Sequence, residues 1–409
     1  MKANNINFTA LDIGSSKISI LAAQLYASGD ARIGYQGLFH SSGIKAGVIK
    51  DYRQAEASIV NAIYTLENEI ERSINTVSIS LSGIGIKSFY IYQKVRLLSG
   101  KVSKGDVQVL HENALEQFSS SGQTVIHYFP IEYTLDKNNS ILNPVGMFGD
   151  ILGCRLHVIT ADSSQITNIL NCFAKCNISI KEIVVGVYAS SLAVLTEDEK
   201  SLGSVVIDFG SSTTSFAIFV SGELVYTGFI PFGGDNITSD IARILSISIP
   251  AAEKLKVLYG SAMGGGADDG VINLSEIETS GNYDDELQIT ASDLSMIISA
   301  RVEEIVELVK AEYDKVGIDH LIARRVILTG GGSLLRGMKE IVANNFKKQV
   351  RIGNPLNIPG FVYDHSTPSY CSSIGLIKYE MIKQKKHSGF VQTSTNFFEK
   401  ITSWLKDGS

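Results

Sequence analysis

Leu11-Asp12-Ile13-Gly14-Ser15-Ser16-Lys17 returns further along the chain as Ile207-Asp208-Phe209-Gly210-Ser211-Ser212-Thr213. Strand-like runs flank both copies: residues 7–13 and 17–25 around the first, and 204–220 around the second. One D-x-G-S-S turn alone reads equally well as an ordinary hairpin, because Asp, Gly and Ser are common turn residues. Two copies in matching surroundings point instead to a duplicated α/β unit with a ligand held between its halves. Glycine lets the backbone turn tightly and approach a ligand without a Cβ clash. Successive N–H groups, with the hydroxyls of Ser15, Ser16, Ser211 and Ser212, then form a concavity for phosphate oxygens. Asp12 and Asp208 at the strand ends read as holders of Mg²⁺, through water, since this hard cation prefers oxygen and keeps several waters. Lys17 adds a cation beside the first turn.

A third element is Val326-Ile327-Leu328-Thr329-Gly330-Gly331-Gly332-Ser333, read as a strand entering a triple-glycine turn with a helix after it. Flat glycine backbone packs against a nucleoside, and a helix N-terminus faces phosphate. Between these landmarks, strand-like and helical runs alternate, which implies α/β layers. Residues 51–70 carry Ile59, Ile63, Leu66 and Ile70 at helical spacing and lead into a strand at 77–81. From 84 to 162 the texture changes to short apolar runs broken by Gly, Ser and Asn, the look of an inserted subdomain. Residues 239–313 read as largely helical, with a glycine-rich acidic loop at 264–270.

The totals narrow the function. A chain of 409 residues with 44% hydrophobic and 19% charged residues suits two packed domains rather than disorder. A net charge of −6 offers no basic field for nucleic acid. Four cysteines follow no zinc or disulfide spacing, and Cys172 and Cys176 read as free thiols one helical turn apart. No signal-like start and no apolar run of about 20 residues are present, so the chain reads as cytoplasmic, with any membrane contact peripheral. Phe397, Phe398, Ile401, Trp404 and Leu405 fall on one helical face, with Glu399, Thr402, Ser403 and Lys406 opposite. That pattern describes a helix lying in a bilayer interface. It equally describes one packed on the protein's own core or on another chain.

The three nucleotide elements, in this order, are similar to the actin, sugar-kinase and heat-shock ATPase superfamily. Pro130-Ile131-Glu132-Tyr133, Asn143-Pro144-Val145-Gly146, Leu195-Thr196-Glu197-Asp198-Glu199, Thr238-Ser239-Asp240-Ile241-Ala242 and Val350-Arg351-Ile352-Gly353-Asn354-Pro355 narrow the resemblance to the bacterial cell-division family FtsA. The resemblance implies an actin-like fold of ribonuclease H-like duplicated domains, with the FtsA-type inserted subdomain 1C. Its expected partition is 1–83, 163–200 and 362–385 for subdomain 1A, and 84–162 for 1C. Residues 201–238 with 314–361 would form 2A, and 239–313 would form 2B. A linker at 386–393 would precede a membrane-targeting helix at 394–407.

What the resemblance implies about function is an ATP- and Mg²⁺-binding membrane adaptor of the division septum, on the cytoplasmic face of the inner membrane. Its implied partners are the tail of the tubulin-like protein FtsZ, further copies of itself in a filament, later division proteins and anionic lipid. By motif, Asp12, Gly14, Ser15 and Lys17 match the first phosphate turn, and Asp208, Gly210 and Thr213 the second. Gly234 matches a glycine that approaches the phosphates, Glu253 and Lys256 a pair bordering the adenosine, and Gly330, Gly331 and Gly332 its opposite wall. Arg301 falls where the family contacts the FtsZ tail, although an exposed helix residue explains it as well. The second turn of the family usually reads D-x-G-G-G-T-x-D. Here Ser211 and Ser212 replace two glycines and Ser215 the last acid, which weakens the case for hydrolysis, and no general base stands out. The alternative is a sugar- or acetate-type kinase of the same superfamily.

Overall fold

β1 (Phe8–Ile13) and β2 (Lys17–Leu25) pair antiparallel with Ile13 opposite Ile18, which leaves residues 14–17 as the turn between them. The computed structural model describes residues 5–83, 85–263, 270–274, 277, 288–322 and 325–388, and the side chains of all of these except 139 and 386–388. β3 (Ala31–His40) pairs antiparallel with β2, and the small hairpin of β4 (Ile44–Lys45) and β5 (Val48–Ile49) follows. α1 (Tyr52–Ile70) begins where the Asp51 carboxylate accepts from the Arg53 and Gln54 amides, satisfying two otherwise unpaired N–H groups. It buries Ala55, Ile59, Ala62, Ile63, Leu66 and Ile70. β6 (Thr76–Leu81) then runs parallel to β1.

The insert has its own core. β7 (Lys87–Arg96), α2 (Lys104–Leu115), β8 (Gln123–Leu135), β9 (Asn138–Ile141) and β10 (Ile151–Asp162) form a sheet in the order β7-β10-β8-β9. α2 packs on it around Leu110, Leu152 and Leu156. β8 and β10 are long strands of 13 and 12 residues rather than short runs; register shifts near Arg155 and Ile159 let them bend. The insert also reaches the second half. The Ser88 hydroxyl donates to the Thr227 carbonyl at 2.9 Å, Tyr90 donates to the Val225 carbonyl, and His157 Nδ1 donates to the Leu224 carbonyl at 2.9 Å. Burial pushes His157 down to about 4, against the pull of that carbonyl, so it sits there as the neutral ring.

α3 (Ser163–Lys175), β11 (Ser179–Val185), α4 (Gly186–Val194) and α5 (Glu197–Ser201) complete the first half, whose sheet runs β3-β2-β1-β6-β11. The second half opens with β12 (Ser204–Phe209), β13 (Thr214–Val220) and β14 (Glu223–Ile230). α6 (Gly234–Leu245), α7 (Ile249–Tyr259), β15 (Val271–Asn273), β16 (Gln288–Thr290) and α8 (Ala291–Val316) come next. β17 (Arg325–Thr329), α9 (Met338–Phe346), β18 (Gln349–Ile352) and α10 (Cys371–Ser388) end the described chain. Its sheet runs β14-β13-β12-β17-β18, the same order as the first: a three-strand antiparallel meander with two further strands added in parallel. α4 and α10 cross between the halves, so close that a Cβ on Gly375 would stand 1.8 Å from the Ala189 carbonyl oxygen.

Three expectations change. Within 239–313 the helices are interrupted by the β15–β16 pair. After the triple glycine comes a 3₁₀ turn at Gly331–Leu334, and α9 starts only at Met338, after Gly337 at φ 82°. Residues 386–388, read as the start of a linker, continue α10. The rest of that linker, the helix at 394–407 with Phe397, Phe398, Ile401, Trp404 and Leu405, and the loop residues 264–269 lie outside the described residues. The cysteines are free thiols, Cys154, Cys172 and Cys371 buried and Cys176 partly so.

Candidate functional site

The two turns are built alike. Gly14 N–H donates to the Lys17 carbonyl at 2.9 Å, and Gly210 N–H to that of Thr213 at 2.8 Å. A Cβ on either glycine would stand 2.9 Å from the same carbonyl oxygen, which explains why both positions are glycine. The turns meet across the halves: Ser15 Oγ and Ser212 Oγ are 2.5 Å apart. The Ala46 N–H, on the β4–β5 hairpin, donates to both at 3.0 Å. The Ser16 carbonyl accepts from Ser41 N–H at 3.0 Å, which ties the first turn to the segment before that hairpin. Lys17 is exposed beside it, while Ser211 and Thr213 are half-buried.

Asp12 and Asp208 close the ends of β1 and β12. Ser80 on β6 donates to Asp12, and Ser190 on α4 donates to Asp208 at 2.5 Å. Desolvation pushes the Asp12 carboxyl up to about 7; Ser80 opposes this and the charge of Asp208 adds to it. Asp208 is raised by the same desolvation, against hydrogen bonds from Ser190 and Ser372. Two acids that disfavour each other's charge, held by neutral hydroxyls alone, form a donor set that a divalent cation would complete. Among the described residues no third His, Cys, Asp or Glu joins them, so water or ligand oxygens would fill the rest of such a shell. That fits Mg²⁺ held through water.

Gly233 and Gly234 press against the second turn. Gly234 N–H donates to the Gly210 carbonyl at 3.0 Å and Asp235 N–H to the Ser211 carbonyl at 2.6 Å. A Cβ on Gly233 would lie 2.6 Å from both carbonyl oxygens. Lys256 on α7 reaches back to this point: its Nζ is 3.1 Å from the Gly234 carbonyl, 2.8 Å from Thr238 Oγ1 and 2.6 Å from Glu253 Oε2. Lys256 is thus tied to the start of α6, while the Glu253 side chain that pairs with it is 48% exposed, as an exposed helix pair would be. Gly330, at φ 82°, packs on the other side, where a Cβ would stand 2.3 Å from Asp208 Oδ1. One on Gly332 would strike the Phe209 ring, and one on Gly331 would come 3.2 Å from Ser369 Oγ. Of the residues read as nucleotide-binding, Ser15 and Ser212 meet across the halves, Gly234 and Lys256 pack at the second turn, and Gly330 lies against Asp208.

Arg301 is held differently. Its Nε pairs with Asp240 Oδ2 and its Nη1 with Glu304 Oε2, each at 2.5 Å, and Arg243 binds the same Asp240. Against burial, the two arginines hold the Asp240 carboxyl below the usual range. Arg301 is one member of an ion-paired cluster between α6 and α8.

Ser80, Ser190, Ser372, Asp235 and the Ala46 amide are site groups that sequence reasoning missed. The first three are ordinary serines brought in by other strands and helices. Ala46 contributes only backbone, and Asp235 follows the Gly233-Gly234 pair with no pattern of its own. Desolvation raises the Asp235 carboxyl, with Lys256 lowering it, Glu253 raising it and Lys45 lowering it.

A family model described as cell division protein FtsA matches residues 205–375, and one described as the SHS2 domain inserted in FtsA matches 83–160. The cell division protein FtsA of Rhizobium meliloti (strain 1021) is 30% identical over 417 residues, covering 98% of this chain and 94% of that protein. Its counterpart in Agrobacterium fabrum is 31% identical, covering 91% and 87%. That of Escherichia coli K12 is 29% identical, covering 97% and 95%. Among solved structures, a chain of the PilM–PilN type IV pilus biogenesis complex superposes with a TM-score of 0.67 at 15% identity, covering 92% of this chain and all but 1% of that one (99%). MreB5 of Spiroplasma citri bound to ADP gives 0.54 at 14% identity, covering 94% and 98%. The shared architecture is the actin-like fold.

Proposed function

The chain belongs to the FtsA family of cell division proteins, and from that membership we propose that it is an ATP-binding membrane adaptor of the division septum. In this reading ATP and Mg²⁺ occupy the cleft between the halves. Asp12 and Asp208 hold the cation through water. Ser15, Ser16 and Lys17 face Ser211, Ser212 and Thr213 across the phosphates, with Gly210 and Gly14 shaping the two turns. Gly234, Glu253, Lys256 and Gly330–Gly332 border the nucleoside. The observation that carries the reading is the meeting of two matched turns, one from each half, each following a strand-end carboxylate, Asp12 or Asp208.

The nucleotide acts as a switch for closure rather than as fuel. Ser215 stands opposite Asp208 in the β12–β13 register, where the family pattern has an acid. A hydroxyl there supplies neither a carboxylate to hold the cation's waters nor a base to activate one. The MreB5 structures with ADP and AMPPNP support nucleotide in a cleft of this architecture.

Self-assembly places many copies on one surface. The apolar face of Phe397, Phe398, Ile401, Trp404 and Leu405 would then anchor them on the cytoplasmic side of the inner membrane, with Lys385 and Lys386 attracting anionic lipid. Lys383, read from the sequence as a third such charge, is instead partly buried on α10 in an ion pair with Glu182. Among the described residues no helix is long and apolar enough to cross a membrane. The FtsZ tail would dock near Arg301, and later division proteins would join the assembled filament. Titration of the full chain with ATP, with and without Mg²⁺, tests the centre of this reading. Saturable binding that strengthens with Mg²⁺ supports it, and absence of ATP binding refutes it.

A further inference from the structure

Three donors from three separate segments converge at one point of the cleft: the Ser15 hydroxyl, the Ser212 hydroxyl and the Ala46 N–H. Ala46 is held at φ 51°, in the left-handed region that costs a residue with a Cβ. Its neighbours fix it there. A Cβ on Gly47 would stand 1.7 Å from the Ser82 carbonyl oxygen, and one on Gly83 2.0 Å from that of Ala46. The β4–β5 hairpin is thereby pressed onto the end of β6 with one amide aimed into the cleft. Strain of this kind persists where the surroundings over-determine it.

This point is rich in donors. Three hydrogens share two oxygens that are themselves donors. The amide is divided between the hydroxyls and one hydroxyl proton bridges them, which leaves the other, at the half-buried Ser15 end, for solvent or a ligand. An oxygen that only accepts, entering between the turns, takes all three. Ser212 adds one of these hydroxyls where the family pattern has a glycine, and Lys45, beside Ala46, contributes positive charge that acts on Asp235.

We propose that the Ala46 N–H, with the Ser15 and Ser212 hydroxyls, forms a subsite for a phosphoryl oxygen of a nucleoside polyphosphate, making the 44–49 hairpin a third phosphate-binding element. This rests on the nucleotide reading of the cleft. Ligand oxygen replaces the direct Ser15–Ser212 bond with a bond to each turn and one to the hairpin, so three segments close on one group. A nucleoside monophosphate, whose single phosphate stays beside its nucleoside, does not fill the subsite.

The test is calorimetric titration of the full chain, in Mg²⁺, with ATP, AMP and pyrophosphate, for the native chain, Ser212→Gly and Ser15→Ala. Each substitution removes one hydrogen bond to a charged acceptor, so the ratio of ATP to AMP affinity falls about tenfold. Pyrophosphate affinity falls with that of ATP, and the 42–50 segment gains protection from amide exchange with ATP but not with AMP. The proposal is overturned if both variants keep the native ratio or if ATP leaves exchange at 42–50 unchanged. Native ATP binding with unaffected variants sinks the subsite alone. Pyrophosphate binding without nucleotide binding, weakened by both variants, sinks the nucleoside reading and leaves a phosphate site. No binding of any of the three sinks both.

Discussion

Removing Arg351 from the chain gives the sharpest energetic test of how the halves are joined. Arg351 sits on β18 of the second half; Nη2 donates to Glu199 Oε2 at 2.6 Å and to the Val194 carbonyl at 2.8 Å, and Nε donates to Glu199 Oε1 at 2.8 Å. Glu199 on α5 is 5% exposed, and its other arginine, Arg325, stands 3.5 Å away. Burial works against the carboxylate, yet the hydrogen bonds from Arg351 and the Thr196 amide and the two arginine charges hold it below the usual range. Stripping one partner from a buried pair costs about 3–5 kcal/mol. The Arg351 side chain is 36% exposed, so solvent screens part of the pair, and Arg351→Met is expected to cost about 2 kcal/mol near neutral pH. The pH dependence fixes the mechanism. In the native chain the Glu199 contribution is complete above the unfolded glutamate value, about 4.3, and is lost as pH falls through the lower folded value. In the variant, burial without its partner pushes the carboxyl upward, so it takes a proton sooner and the deficit shrinks below about pH 5. Urea unfolding followed by far-ultraviolet circular dichroism reads this out. A deficit that stays constant with pH, or that is absent at neutral pH, would refute the reasoning. The Glu199→Gln/Arg351→Met pair should recover part of the loss.

Asp12, raised to about 7, makes the opposite linkage: an acid that is harder to ionise when folded binds more protons than in the unfolded chain, so stability falls as pH rises between about 4 and 7. Asp12→Asn should therefore raise the melting temperature of the ligand-free chain at about pH 8 more than at about pH 5, while weakening Mg²⁺-dependent ATP binding; equal shifts at both pH values would count against it. Gly375→Ala puts a Cβ 1.8 Å from the Ala189 carbonyl oxygen, and forcing the α4–α10 crossing apart should cost about 1–3 kcal/mol in thermal or urea unfolding. Deleting residues 390–409 should abolish co-sedimentation with anionic vesicles; binding equal to that of the full chain would remove the tail from the anchor.

The features legible in the sequence were those whose chemistry is local. Gly14 and Gly210 must be glycine because of a carbonyl three residues on in their own turn, so the requirement shows as a motif. The triple glycine is legible for a different reason: its constraint is long-range, since Gly330 and Gly332 lie against Asp208 and Phe209 at the end of β12, but three successive glycines stand out as a run whatever they touch. What orients the acids was hidden. Ser80 lies 68 residues from Asp12, and nothing around it differs from a strand serine elsewhere. Ser190 acts on Asp208 from α4 only because the helix is laid under β12 by tertiary packing. The β15–β16 pair escaped notice because two three-residue strands carry too little alternation to stand out beside long helices. The delayed start of α9 turned on Gly337 in the left-handed region, a backbone state that a strand–glycine–helix reading passes over.

Two halves with one strand order and one turn design make a frame that is nearly the same seen from either side. Such a frame cannot tell the head of an elongated ligand from its tail. Polarity has to come from what was not duplicated: α7 with Glu253 and Lys256 on one side of the second turn, the β4–β5 hairpin beside the first, and Lys17 where the other copy has Thr213. Orientation in this cleft is thus a property of the differences between the repeats, and grip is a property of their likeness.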